Sequence, residues 1–358
     1  MTSHYEQRLE KDLTRIKRSV VDLADRVEAA VRDSVQALMT GDRELANRTA
    51  LGDQPINRSV SEIDRLCHAF IALHLPSAGP LRLITAVIRT NIALERIGDY
   101  AVTISREAAL MSHPPEGLIA RETELMAAES IRGLHQAITA FRDFSPQTAK
   151  ATKGFVDQTS HSFSKVFDEF AEHPDKKMIA DLLAQFVVLN MLERVSDQAK
   201  NICEDVVFAT TGESKPPPRF KIIFLDKKGA CHGPMAMAVA QRSFPNSGEY
   251  SSACLTPVSD LHAGLEDFLV ERGMEAAYVS PIVTDLGDQA LFDLHVAIAL
   301  EGRVEDYFEK LPFHTTALEW PLDELISAGK EEPMTLLYRE LGLKIRDLMH
   351  LLRGEDAD

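Results

Sequence analysis

The chain has 358 residues, 45% of them hydrophobic, enough for two or three compact domains with ordinary cores. Thirty-nine Lys and Arg against 55 Asp and Glu leave a net charge of −16, which repels phosphate backbones and anionic membrane surfaces and disfavours a nucleic-acid role. With no signal-peptide pattern, no run of 18 apolar residues and no CxxC among Cys67, Cys203, Cys231 and Cys254, a cytoplasmic protein with free thiols and no membrane insertion is expected.

Apolar residues at helical spacing (Leu9, Leu13, Ile16, Val20, Leu23, Val27, Val31, Val35, Leu38) predict one long amphipathic helix over 5–40, ended by Gly41 and Asp42. A second helix is expected over 42–75, broken by PSAGP at 76–80, and a third over 81–111. The pattern returns with helices over 118–144, 148–171 and 178–211. SKPPPRF then reads as a stiff linker, and the composition changes. KIIFL at 221–225, SSACL, FDLHVAIAL and TALEWPL read as strands; helices are expected from PMAMAVAQRSF, over 259–272 and over 331–352. Strands alternating with helices argue for a small α/β domain with a mainly parallel sheet. The expected fold is therefore multi-domain: two tandem three-helix bundles (1–114 and 115–213), a linker (214–218) and an α/β domain (219–358).

The helical half is one unit written twice. NIALERIGDYAVTI at 91–104 lies over VLNMLERVSDQAKNI at 188–202, and Asp53 and Asn57 lie over Asp157 and His161. Each copy keeps E-R-I/V-x-D, so Glu95 with Asp99, and Glu193 with Asp197, stand four apart on a helix, with Cβ atoms about 5–6 Å from each other. Two like charges so placed destabilise the helix unless a cation intervenes. Arg96 or Arg194 could serve; a divalent or ferric ion (Mg, Mn, Ca, Fe or Zn) held by oxygen ligands would serve better. Asp53, Asn57, Asp157 and His161 on the preceding helices would complete the two candidate metal sites. A solvated acidic face is the plainer alternative, and repetition weighs against it.

ERIGDYAVTI, the ALMTGDRELA turn, the D-x-x-I-N of Asp53 to Asn57 and LERVSDQAKNICEDVVFATTGE together resemble the PhoU family of phosphate-signalling regulators over residues 4–213. The resemblance implies helical bundles, metal-binding E/D-x-x-x-D surfaces and a regulatory role. Family members act with the phosphate ABC transporter's ATPase and a phosphate-sensing histidine kinase, damping the starvation response; a homo-oligomer is also admitted. Pro80 stands where the family usually carries an acid, and so does Val60.

FLDKKGACHGPMAMA at 224–238 places a tight loop between a strand and a helix start, a generic cradle for an oxyanion. It resembles the low-molecular-weight tyrosine phosphatase and arsenate reductase family. The match puts Asp226 at the nucleophilic cysteine, His232 at the phosphate-binding arginine, Gly233 at the serine and Asp323 at the acid. A carboxylate facing a dianion and a neutral imidazole fill neither key role, so a catalytically degenerate pseudophosphatase is expected. Asp226, Lys227, Lys228, Gly229, Ala230, Cys231 and His232 remain a candidate anion-binding loop. The functional expectation is a non-enzymatic, metal-binding regulator of phosphate transport and starvation signalling. A metal-dependent or residual phosphatase and a scaffold for a low-affinity phosphate permease are the alternatives.

Overall fold

The computed structural model describes residues 4–156, 176–215, 217–256, 260–274, 294–308, 311, 315–322 and 333–358. It divides into two compact units, Met1–Lys215 and Pro216–Asp358.

In the first unit, α1 (His4–Thr40) carries its apolar stripe inward, with Ile16, Val20, Leu23, Val27, Val31 and Leu38 all buried. The single helix expected over 42–75 is two, α2 (Arg43–Leu51) and α3 (Asp53–His74). Pro55 is the physical reason. It lacks a backbone N–H and its ring clashes with the carbonyl four residues back, so a helix from residue 43 cannot run through it, whereas a first turn accepts proline. Asp42 caps α2 by accepting a hydrogen bond from Leu45 N at 2.9 Å. α4 (Ala78–Leu110) completes the first bundle.

The second copy comprises α5 (Gly117–Asp143), α6 (Pro146–Val156) and α7 (Lys176–Thr211); the rest of the helix expected over 148–171 lies outside the described residues. One buried cluster runs through both copies, joining Ile16, Leu94 and Ile97 to Leu134, Val195 and Ile202. The repeats therefore share a core, and α4 packs along α7 at its centre. Small residues set the closest approaches. A Cβ on Gly98 would come within 3.3 Å of Ile56 on α3. At the matching position of the repeat, the buried Ser196 donates to Ser130 Oγ on α5 at 3.0 Å, and Ser130 donates to the Leu192 carbonyl at 3.0 Å.

Among the described residues the second unit contains a four-stranded parallel sheet in the order β2-β1-β3-β4, built from β1 (Phe220–Asp226), β2 (Gly248–Cys254), β3 (Val296–Ala299) and β4 (Thr316–Glu319). Helix α8 (His232–Ser243) follows β1, α9 (Leu265–Glu271) follows β2, and α10 (Pro333–Arg353) ends the chain. Ile222, Phe224, Val296 and Ile298 pack beneath α8 and α10, while Ile223, Leu225, Ala297 and Ala299 pack on the other face with Val304, Tyr307 and Phe308. Both faces are covered, which explains the unbroken apolar run of β1.

Leu94 is fully buried in the shared core. Leu94→Ala is expected to destabilise the helical unit by about 2–5 kcal/mol in chemical denaturation. Asp42→Ala should cost about 1 kcal/mol by loss of the cap.

Candidate functional site

The Gly98–Ile56 approach brings the N-terminus of α3 onto the acidic face of α4. There Asn57 Nδ2 donates to Asp53 Oδ2 at 2.7 Å, while Asp53 Oδ1 is buried and has no hydrogen-bond partner among the described residues. Loss of hydration, then the negative charge of Asp53, push the Asp99 carboxyl above the usual carboxylate range; Arg106 opposes them. Asp53, Asn57 and Asp99 thus converge, with the half-buried Glu95 one turn earlier on α4. Among the described residues, no group of three or more His, Cys, Asp or Glu closes around one point. The fit to a hard cation rests on the orphaned Asp53 oxygen and on the repulsion between Asp53 and Asp99, which Arg106 offsets only in part.

In the second copy, Glu193 is half-buried and Asp197 exposed on α7; Asp157 and His161 lie outside the described residues. The adjacent arginines turn elsewhere. Arg194 Nε donates to Asn190 Oδ1 at 3.0 Å, and Arg96 lines a groove against α7.

In the second unit, the loops after β1 and β3 meet where neighbouring strand connections diverge, the usual ligand crevice of an open parallel sheet. The cradle is filled from within. Asp226, only 2% exposed, accepts the Gly233 N–H on Oδ2 at 2.8 Å and the Gly229 N–H on Oδ1. Glu301, from the loop after β3, accepts the Lys227 N–H at 2.7 Å and stands 3.5 Å from His232 Nδ1. Two N–H donors of the expected anion loop, Lys227 and Gly229, and that of Gly233 just beyond it are therefore already engaged by carboxylates of the chain itself. Gly229 can make this turn because its φ is +68° and a Cβ there would lie 2.9 Å from Cys254 Sγ.

Burial pushes the Asp226 carboxyl up; the Gly233 and Gly229 N–H groups pull it down, Glu301 raises it and His232 lowers it. Burial, then the charges of Asp226 and Glu301, push the Cys231 thiol to about 11, so it is no ready thiolate. Lys228 and Ala230 complete the loop around Gly229, and Asp323 lies outside the described residues. Glu301 was missed in the sequence because only the sheet order brings the β3 loop against the β1 loop.

These features define a class: a duplicated helical-bundle protein carrying opposed acidic side chains, joined to a parallel α/β unit whose oxyanion loop is internally occupied. The family model described as "PhoU domain" matches residues 20–108. The "Phosphate-specific transport system accessory protein PhoU" of Serratia marcescens is 28% identical over 216 residues, covering 60% of this chain and 88% of that protein. The Escherichia coli (strain K12) protein of the same description is 25% identical over 215 residues, with 60% and 89% covered. The crystal structure of PhoU from Pseudomonas aeruginosa superposes with a TM-score of 0.54 at 27% identity, covering 57% of this chain and 99% of that one. Over its first unit the chain is thus similar in sequence and fold to PhoU proteins. No helix among the described residues is long and apolar enough to cross a membrane.

Asp226→Ala should leave two buried N–H groups without acceptors, at about 1–3 kcal/mol each, and lower the melting temperature of the α/β unit. Millimolar phosphate should recover part of that loss in the variant and leave the parent unchanged in a thermal-shift measurement.

Proposed function

We propose that the chain is a cytoplasmic accessory regulator of phosphate transport and phosphate-starvation signalling that acts by protein contact and not by catalysis. The observation that carries this reading is the match to accessory proteins of the phosphate-specific transport system over 88% of a relative's length. The partners proposed are the phosphate ABC-transporter ATPase and a phosphate-sensing histidine kinase, the latter held in check when phosphate is plentiful. Capture of these two proteins by the tagged full chain from a lysate of its own host is the expected result. Their absence, together with an unaltered starvation reporter in a deletion strain, would refute the contact model.

Within this reading, Asp53, Asn57, Glu95 and Asp99 hold one divalent or ferric ion, and Glu193 and Asp197, with Asp157 and His161, hold another. A bound cation would supply positive charge between the paired carboxylates. The side chains themselves would fix the α3–α4 surface for docking: Asn57 orients Asp53 through its 2.7 Å hydrogen bond and leaves the second, buried oxygen of Asp53 without a hydrogen-bond partner among the described residues. Replacing Glu95, Asp99, Glu193 and Asp197 together by Ala should lower the Mg, Mn or Fe that copurifies, read by elemental analysis. Unchanged metal content would remove the metal sites while leaving the partner reading intact.

The α/β unit is proposed as a recognition domain. At its loop the phosphatase nucleophile is replaced by Asp226, whose two oxygens accept backbone N–H groups, and the phosphate-binding arginine by His232, so the thiolate and guanidinium of that family's mechanism are both lacking there.

A further inference from the structure

The groove between α4 and α7, about 480 Å³ in volume, lies outside both the acidic pairs and the loop of the second unit. Three cations, Arg89, Arg96 and Lys215, line it against two carboxylates, Glu204 and Asp205, with Phe208 as a wall. Within a chain of net charge −16, this is a locally basic recess. Glu204 is already committed, at 2.8 Å from Lys153 Nζ and 3.1 Å from Lys215 Nζ. Arg89 is exposed, rests its guanidinium 5.2 Å from the centre of the Phe208 ring and approaches Asp205 only to 3.8 Å, beyond hydrogen-bonding distance. Arg96 is exposed beside it. Asp205 is 7% exposed, an almost buried lining carboxylate whose facing cation, Arg89, is itself exposed and 3.8 Å away.

That combination has a chemical preference. Guanidinium forks bind tetrahedral oxyanions bidentately. A buried carboxylate repels an anion that has no proton, yet accepts a hydrogen bond from one that has kept a hydroxyl. We propose that this groove binds inorganic phosphate as a protonated oxyanion, with Arg89 and Arg96 on its oxygens and Asp205 accepting from its P–OH group. Sulfate and carboxylates carry no such proton near neutral pH. A phosphomonoester loses its second proton with a pKa of about 6, so above neutrality it too lacks the hydroxyl.

The charged groups facing Asp205 are Arg89, which favours its ionised form, and Glu204, which disfavours it; burial outweighs both and pushes the carboxyl up to about 7. Above that value Asp205 is ionised and discrimination by the ligand's own proton is sharpest. The site is independent of the proposed partners and of the metal reading.

Calorimetric titration of the full chain at pH about 8, with inorganic phosphate, sulfate and phenyl phosphate as probes, tests it. The expected result is phosphate binding at millimolar concentration or below, with sulfate and phenyl phosphate at least tenfold weaker. Arg89→Ala and Arg96→Ala, both at exposed positions and expected to keep the helical fold by circular dichroism, should each weaken phosphate at least tenfold. Asp205→Asn should bring sulfate within threefold of phosphate. Equal affinity for phosphate and sulfate in the parent, or no heat with phosphate at millimolar concentration, would overturn the proposal. So would phosphate binding that survives both arginine changes and disappears in the Glu95→Ala, Asp99→Ala variant, since that pattern assigns the anion to a metal at the acidic face.

Discussion

The close approach of α3 to α4 at Gly98 is the constraint on which the first unit's chemistry depends. A side chain there would press on Ile56, and any outward shift of α3 would carry Asp53 away from Asp99. The small residue inside the repeated acidic motif is therefore as much part of the site as the acids. Its counterpart, Ser196, meets a different neighbour, Ser130 on α5, and replaces van der Waals contact by a pair of hydrogen bonds. The two copies have kept the closeness and changed the means. A buried hydroxyl network of this kind ties α5 to α7 only while each member is satisfied.

The second unit solves a related electrostatic problem in the opposite way. Backbone N–H groups gathered at the end of a parallel strand attract an anion, and here the chain furnishes one. Asp226 meets two donors and Glu301 a third. A carboxylate buried to this degree would be costly without such partners, and donors so placed would be costly without an acceptor. Each therefore stabilises the other, and the loop is held in shape with no ligand. A nucleophile in that position needs a free electron pair aimed outward; Asp226 instead directs both oxygens at its own backbone.

The extent to which this was legible in the chain follows from physical range. Helix α1 declared itself because its stripe of Ile16, Val20, Leu23 and Val27 is a local, periodic signal. The parallel strands did so because β1 is an unbroken apolar run. The break before α3 was equally local, yet the apolar period of 42–75 masked it; Pro55 carried the signal, and Gly52 in front of it should have been read with it. The acidic residues were found by internal repetition, which reports on pairs along one helix but not on the orphaned oxygen of Asp53. Glu301 and Asp205 were not singled out at all. Their significance comes from packing across 70 or more residues, between β1 and β3 and between α4 and α7, and a single sequence holds no periodicity that would mark it.

Net charge illustrates the same limit. A value of −16 argues against long-range attraction of polyanions, because distant charges sum. It does not describe a recess lined by Arg89, Arg96 and Lys215, since screening confines each charge's influence to about 8–10 Å at ordinary ionic strength. Helix α4 carries both environments on one rod. Asp99 feels the charge of Asp53 on α3, while Arg89 and Arg96 line the groove with α7. Alternating signs around a helix keep its own field small and leave two faces of opposite charge a few residues apart. A cation on one face and an anion on the other would both fix the axis on which the two copies of the bundle meet.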